Sequence, residues 1–160
     1  MESDDKKVVV FKIEDEEYAI ENIQIERITN FEKITRIPDC PDYLKGVIND
    51  QGRIVPVIDL KSRFNLPGTS ITSSSNIIIT KEDHGNIGII VDSVSEVIDV
   101  DSKMVSPPPE IIAGILKKYI KGTIKYSGRI IIQLDLSAIL DFEETNDVKE
   151  AISGGEYGDK

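Results

Sequence analysis

The sequence predicts an all-β protein built from two similar small modules. Two observations carry this. The first is an internal repeat. "LKGVINDQGRIVPVIDL" (Leu44 to Leu60) returns as "IKGTIKYSGRIIIQLDL" (Ile120 to Leu136). Eight of the seventeen positions are identical: Lys45/Lys121, Gly46/Gly122, Ile48/Ile124, Gly52/Gly128, Arg53/Arg129, Ile54/Ile130, Asp59/Asp135 and Leu60/Leu136. The second is a series of short β-branched runs at regular spacing, separated by tight-turn signals. That is the pattern of small closed barrels or a sandwich. Each copy is too small to bury a comfortable core alone, so the two are expected to pack together, with a groove between them as a natural binding place.

The elements follow in order. Residues 1–7 form a charged, flexible arm with no apolar stretch behind it, unlike a signal peptide. "VVVFKI" is a strand, "EDEE" a turn, and "YAI" a second strand. "IENIQIERITNF" fits a strand as well as a helical turn, since Ile20, Ile23, Ile25 and Ile28 satisfy either period. Pro38 and Pro41 mark a loop. The repeated unit reads as a hairpin: "GVIN" goes up, "DQG" turns, "RIVPVID" returns. Gly52 supplies a positive φ. Pro56 removes a ladder donor and places its strand at an edge or bulge. Asp59 is expected to cap the short turn "LKSRF" through its carboxylate. Asn65 to Asn76 is the most loop-like stretch. "IIIT" and "IGIIV" are strands around the turn "KEDHGN", and "DSVSEVIDV" loosely parallels "ENIQIERIT". Pro107 to Pro109 form a rigid extended piece. The second hairpin follows, and Asp135 again precedes a short apolar turn, "LSAIL". Residues 141–160 turn acidic and apolar-poor, and read as a frayed helix or a disordered tail. The modules thus span roughly 8–68 and 77–140.

Charge and composition exclude several classes. A formal net charge of −10 over 160 residues opposes an electrostatic grip on nucleic acid or an anionic membrane. No apolar run approaches a membrane span. The lone Cys40 cannot form an internal disulfide, which fits a reducing cytosol.

No catalytic constellation emerges. Asp59 and Asp135 could pair like the dyad of an aspartic protease, but both are followed by Leu rather than by the small residues that let two carboxylates approach. The plainer reading is two helix caps. His84, the only histidine, sits in a charged turn without companion ligands. Cys40 has no histidine nearby in sequence to activate it. Asp92, Asp99 and Asp101 do not match a calcium loop, and "GTSITSSSN" is not a phosphate loop. Arg53 and Arg129 open the return strand of each hairpin, as exposed strand residues or as interface anchors. An uninterrupted "III" at Ile77, Ile78 and Ile79 places at least one isoleucine opposite its neighbours, to be covered internally or by a partner.

Five segments, in order, carry a resemblance: "VVVFKIEDEEYAIENIQIERI", "LKGVINDQGRIVPVIDLKSRF", "IGIIVDSVSEVI", "PPPEI" and "YIKGTIKYSGRIIIQLDLSAIL". Over residues 8–140 the chain resembles the CheW family, the coupling proteins of bacterial chemotaxis. Its length suits a stand-alone adaptor better than the longer kinase CheA, whose last domain is similar. The resemblance implies two intertwined, five-stranded SH3-like barrels with short helical turns. It implies no enzymatic activity, no cofactor and no metal. The family bridges the cytoplasmic tip of chemoreceptors to the regulatory domain of CheA. With the acidic balance against nucleic acid and direct membrane contact, the chain is expected in the cytoplasm and monomeric when free.

Carried over by position, the kinase contact would use Val47, Asn49, Asp50, Gln51, Arg53 and Ile54, with a second contact at Ile111. The receptor groove would use Ile25, Ile28, Ile77, Ile78, Gly88, Val94 and Val97, laid against the apolar face of a receptor helix. One departure stands out. Where the family commonly has Asn-Leu-Arg-Gly, this chain has Asn49-Asp50-Gln51-Gly52, so a five-donor cation is replaced by a neutral amide beside a carboxylate. Two other readings remain at this level: an adaptor for a different histidine-kinase pathway, and an acidic hydrolase using Asp59 and Asp135.

Overall fold

The run "KKVVVFKI" forms β1 (Lys6–Ile13), and "EEYAIE" returns as β2 (Glu16–Glu21) across a turn in which Glu14 takes a positive φ of 58°. The ambiguous stretch that follows divides: Asn22–Gln24 is a single 3-10 turn and Ile25–Asn30 is β3. The first hairpin is β4 (Leu44–Asp50) and β5 (Arg53–Asp59), followed by the one-turn helix α1 (Leu60–Arg63). Then come β6 (Asn76–Thr80), β7 (Gly88–Val91) and β8 (Ser93–Val100). A 3-10 turn at Ser102–Met104 leads to β9 (Val105–Ser106), β10 (Ile111–Ile112) and β11 (Ile115–Leu116). The second hairpin, β12 (Ile120–Tyr126) and β13 (Arg129–Leu134), ends in α2 (Leu136–Leu140). This computed structural model describes residues 6–66, 71–81, 85–109, 111–112 and 115–140. The expected flexible arm, apart from its last two residues, and the acidic tail lie outside them.

The repeated residues have repeated geometry. Each hairpin closes with two residues of positive φ, Gln51 (55°) and Gly52 (88°) in one, Ser127 (48°) and Gly128 (78°) in the other. Two successive positive values define the mirror-type turn whose twist matches that of the strands. Each ladder slips by one residue at the repeated lysine, between Leu44 and Gly46 and between Ile120 and Gly122. The glycine after each bulge sits beneath another backbone. Thr35 exchanges two 2.8 Å hydrogen bonds with Val47 and crosses Gly46, while Ser106 of β9 pairs with Thr123 and crosses Gly122.

The repeated aspartates differ in detail. The Asp135 carboxylate accepts from the Ala138 N–H at 3.1 Å, as an N-cap should. Asp59 precedes α1 but accepts no backbone N–H with its side chain; it takes the Ser62 hydroxyl at 3.2 Å. Pro56 also needs correction. The edge strand is β4, while β5 lies between β4 and β7. β5 pairs with β7 only from Val57 to Asp59, so Pro56 sits just before that stretch, where its missing N–H costs no bond to β7.

The repeat in sequence is not the unit in space. One sheet has the order β8-β1-β2-β13-β12-β9 and the other β3-β6-β7-β5-β4. The first sheet joins β1 and β2 to the second hairpin through parallel pairing of Tyr18 with Ile132. The second joins β6 and β7 to the first hairpin through parallel pairing of Val57 with Gly88. Each sheet therefore takes strands from both halves of the chain. The first has a sixth strand, the two-residue β9, beyond the five that the resemblance implies.

Burial explains the "III" run. Val8, Val10, Ala19, Ile98, Val100, Ile124 and Ile131 form one cluster within the first sheet. Ile48, Val55, Val57, Ile77, Ile79 and Ile90 form its counterpart within the second. A larger cluster lies between the sheets and includes Phe11, Tyr18, Ile58, Ile78, Ile89 and Ile132. Successive strand residues point to opposite faces, so Ile77 and Ile79 fill one core while Ile78 fills the shared one. All three are fully buried, and no partner is needed to cover them.

Candidate functional site

The first hairpin presents two chemically different faces. Ile48, Asp50, Val55 and Val57 point inward and are buried. Val47 and Pro56, half-buried, and the exposed Asn49 and Ile54 form the outward face, with Val47 paired to Pro56 and Asn49 to Ile54. Ile54 is 56% exposed, although its strand neighbours Val55 and Val57 are nearly fully covered. The Asn49 side chain accepts from the Gly52 N–H at 2.8 Å and fixes the turn from outside. Gln51 occupies the tip, exposed.

Asp50 does not belong to that outward face. Its side chain is fully buried, contrary to a surface contact role. One oxygen accepts from the Arg27 guanidinium of β3, and the other from Arg53 at 3.1 Å. Arg53 also reaches Glu26 at 2.8 Å, and the Asn86 amide donates to Glu26 at 2.6 Å. Hydrogen bonds from Arg53 and then Asn86 hold the Glu26 carboxyl below its ordinary value. A buried carboxylate is tolerated only when paired, and two guanidinium groups supply the pairing. We expect Asp50→Ala to destabilise the fold by about 2 kcal/mol, less than a deep ion pair because both arginines keep access to water. Chemical denaturation of the purified variant measures this directly.

The residues assigned to a groove separate by burial. Ile77 and Ile78 are fully buried, Gly88 is buried with a neighbouring Ile77 methyl 3.0 Å from where its Cβ would stand, and Ile25 is 8% exposed. These four are core, a correction to their expected contact role. The exposed members are Ile28 (38%) and Val97 (54%), with Val94 half-buried. Ile28 lies on β3 and Val97 on β8, the outermost strands of the two sheets. Asn76 ties these edges together: its side-chain oxygen accepts from the Val94 N–H at 3.1 Å, and its amide donates to the Thr29 carbonyl at 3.4 Å. The two edges thus form one seam with apolar side chains outside and isoleucine core beneath. Ile111 lies in β10, paired to Leu116.

The chemistry tests are short. Asp59 and Asp135 are each committed to their own helical turns. The Cys40 thiol donates to the Ile37 carbonyl at 3.1 Å, and burial pushes it up, away from the reactive thiolate. His84 lies outside the described residues. Among the described residues no group of three or more His, Cys, Asp or Glu stands together as a metal site. No helix among them is long and apolar enough to cross a membrane.

Comparison with known proteins bears on this two-sheet scaffold and its edge hairpin. Residues 7–144 match the model of the CheW-like domain. The chain belongs to the CheW family. It is 36% identical over 140 residues to the chemotaxis protein CheW of Bacillus subtilis, covering 88% of this chain and 90% of that one. It is 32% identical over 139 residues to CheW of Klebsiella aerogenes, covering 87% and 84%. The crystal structure of the scaffolding protein TtCheW from Thermoanaerobacter tengcongensis superposes with a TM-score of 0.78 at 34% identity, covering 86% of this chain and 88% of that one. CheW membership carries the role of a chemotaxis adaptor and the intertwined β-barrel fold. Two features of this CheW-like chain escaped sequence reasoning. Ile130, the equivalent of Ile54, is 54% exposed, and the repeat itself could have paired them. Arg27 and Glu26, which hold the hairpin through Asp50 and Arg53, sit on a strand far away in sequence and left no local signal.

Proposed function

We propose that this chain is a cytoplasmic, non-enzymatic adaptor, monomeric when free, that couples the cytoplasmic tips of chemoreceptors to the regulatory domain of a CheA-type histidine kinase. The observation that carries this reading is the outward face of the first hairpin. It presents an exposed isoleucine, flanked by Val47, Asn49 and Gln51, on a rigid edge element. A central apolar residue surrounded by uncharged polar groups is a good protein-docking patch. Arg53, held by Asp50 and Glu26, marks its rim, and Ile111 supplies the second kinase-type contact. Ile28, Val94 and Val97 take the apolar face of a receptor helix along the seam, with Ile25, Ile77, Ile78 and Gly88 shaping it from below. The CheW-like domain spans residues 8–140, its repeat units running roughly 8–68 and 77–140.

The test is a calorimetric titration against the isolated regulatory domain of CheA from the same genome. Saturable one-to-one binding at micromolar Kd is expected. Absence of heat at about 100 µM protein would overturn the CheA assignment and favour a different histidine-kinase pathway, which the Asp50-Gln51 departure makes the second reading. At the tip, Gln51→Arg restores the family's usual cation and is expected to change that Kd at least severalfold, because a bidentate guanidinium and a neutral amide are not interchangeable. An unchanged Kd would remove Gln51 from the interface.

A further inference from the structure

A groove of about 1110 Å³ lies between the segment from Phe31 to Asp42, the start of β4 and α1. Phe31, Ile34, Ile37 and Ile71 form its apolar wall, each half-buried. Ile34 and Ile71 also pack against the core cluster of the second sheet, so the wall is fixed from behind. The paired hydrogen bonds between Thr35 and Val47 hold the segment on β4. In a chain of net charge −10, this lining carries more cations than acids: Lys33, Arg36 and Lys45 against Asp39 and Asp42. None of the three cations forms a salt bridge with another described residue. No residue of the kinase or receptor surfaces lines the groove. An apolar wall left half-covered, rimmed by charge, marks a place where another segment docks.

The chain delivers such a segment to the edge of the groove. Arg63 of α1 donates from Nε to the Ile139 carbonyl at 2.9 Å, so α2 ends against α1. The Arg63 guanidinium lies 5.2 Å from the centre of the Tyr43 ring. Tyr43 stands between Asp42 and Leu44, and Ser62 stands beside Arg63; Asp42, Leu44 and Ser62 all line the groove. The polypeptide therefore leaves α2 at the groove's margin. The next ten residues, 141–150, hold five acids (Asp141, Glu143, Glu144, Asp147 and Glu150) against one base, Lys149. Phe142 and Val148 supply large apolar side chains among them, and Ile152 follows. Phe142 lies two residues past Leu140, about 7 Å of extended chain, and Ile152 lies twelve past it, up to about 40 Å.

We infer that residues 141–152 of the same chain dock back into this groove. Phe142 and Val148 lie against the apolar wall, and the acids lie at Lys33, Arg36 and Lys45. Two arguments select this occupant. Its charge is opposite to the excess in the lining. Its tether makes docking intramolecular, so weak contacts suffice at an effective concentration of order millimolar. A second copy is a poorer occupant, because two chains of charge −10 repel as they approach.

Carbodiimide cross-linking of the full chain at low micromolar concentration, mapped by peptide mass spectrometry, reads this contact directly. Amide bonds from the acids of 141–150 to Lys33 or Lys45 are expected about fivefold more often than to Lys81 or Lys125, two exposed lysines outside the groove. A mixture of ¹⁴N- and ¹⁵N-labelled protein separates links within a chain from links between copies. Cys40 also lines the groove and is the only cysteine, so its rate of reaction with N-ethylmaleimide reports whether the groove is covered. Phe142→Ser combined with Val148→Ser should abolish the preference for Lys33 and Lys45 and speed the Cys40 reaction about threefold. Arg36→Glu, at an exposed position, leaves both reporter lysines in place and should lower their cross-links about threefold; it carries the test from the groove side if the double variant folds poorly. The inference is overturned by links spread evenly over the exposed lysines, by links chiefly between copies, or by a pattern and a Cys40 rate unchanged in the variants.

Discussion

Ile54→Asp is expected to weaken binding to the CheA regulatory domain at least 30-fold while leaving the fold intact. The side chain is already 56% exposed and lies outside each of the core clusters, so its replacement opens no cavity. Stability should change by no more than about 0.5 kcal/mol, as for surface substitutions generally. Binding is different. An apolar anchor at the centre of a patch carries about 2 kcal/mol or more, and the aspartate would additionally be desolvated without a cation positioned for it. Arg53, the nearest cation in sequence, is already engaged by Asp50 and Glu26. Isothermal titration of the variant, beside its thermal melt, separates the two effects. Ile130→Asp is the matched control, because it makes the same change at the equivalent site of the second hairpin. A Kd for Ile54→Asp within threefold of the parent would remove the first hairpin from the kinase contact. A large loss for Ile130→Asp alone would move that contact to the other copy.

Gly46→Ala is expected to cost at least 3 kcal/mol, a large part of the roughly 5–15 kcal/mol that holds a domain together. Two independent reasons add. The backbone at Gly46 has a φ of 144°, a region that side chains rarely enter. An added Cβ would also collide with the Thr35 carbonyl oxygen, which accepts from the Val47 N–H while the Thr35 N–H donates to the Val47 carbonyl. Relief would break those bonds and displace Ile34, which packs against the adjacent core cluster. The melting temperature should fall by about 10 °C. Gly122→Ala is the informative comparison. There the φ lies outside the unfavourable range, and the nearest atom, the Ser106 carbonyl oxygen, is 2.8 Å away. It should be the milder of the two, and equal loss in both variants would mean that crowding, rather than backbone conformation, dominates.

The hairpins were legible because their information is local. A repeated Gly-Arg after a short turn, an apolar alternation and an aspartate before Leu each act within a few residues. The repeat announced two equivalent modules, and two sheets are present. Which strands complete each sheet was not legible, because β1 joins β8 and β2 joins β13 across most of the chain. The surface residues show the same limit. A period of two says that Ile77 and Ile78 face opposite ways, yet not that both faces are covered. Asp50 reads as a turn residue in sequence, and only the arrival of Arg27 from β3 makes it an internal ion partner. Ile54 is exposed on the outward face of the first hairpin, ahead of the stretch where β5 pairs with β7, and Val97 is exposed on β8, the outermost strand of its sheet.

The exchange of strands between halves has a kinetic side. The six-stranded sheet cannot close early in the chain: the β1–β2 hairpin waits for Ser93–Val100 on one side and Arg129–Leu134 on the other. Most of the stabilising contacts must form after long loops have been closed, which places the molecule among slow, millisecond-to-second folders. During synthesis β1 and β2 emerge with both outer edges unpaired, and such edges invite pairing with other chains. The same arrangement binds the ends of the molecule in time as well as in space. A ribosome that stops before residue 129 releases a complete five-stranded sheet beside a six-stranded one that lacks β13, so any working copy of this adaptor has been translated at least as far as its second hairpin.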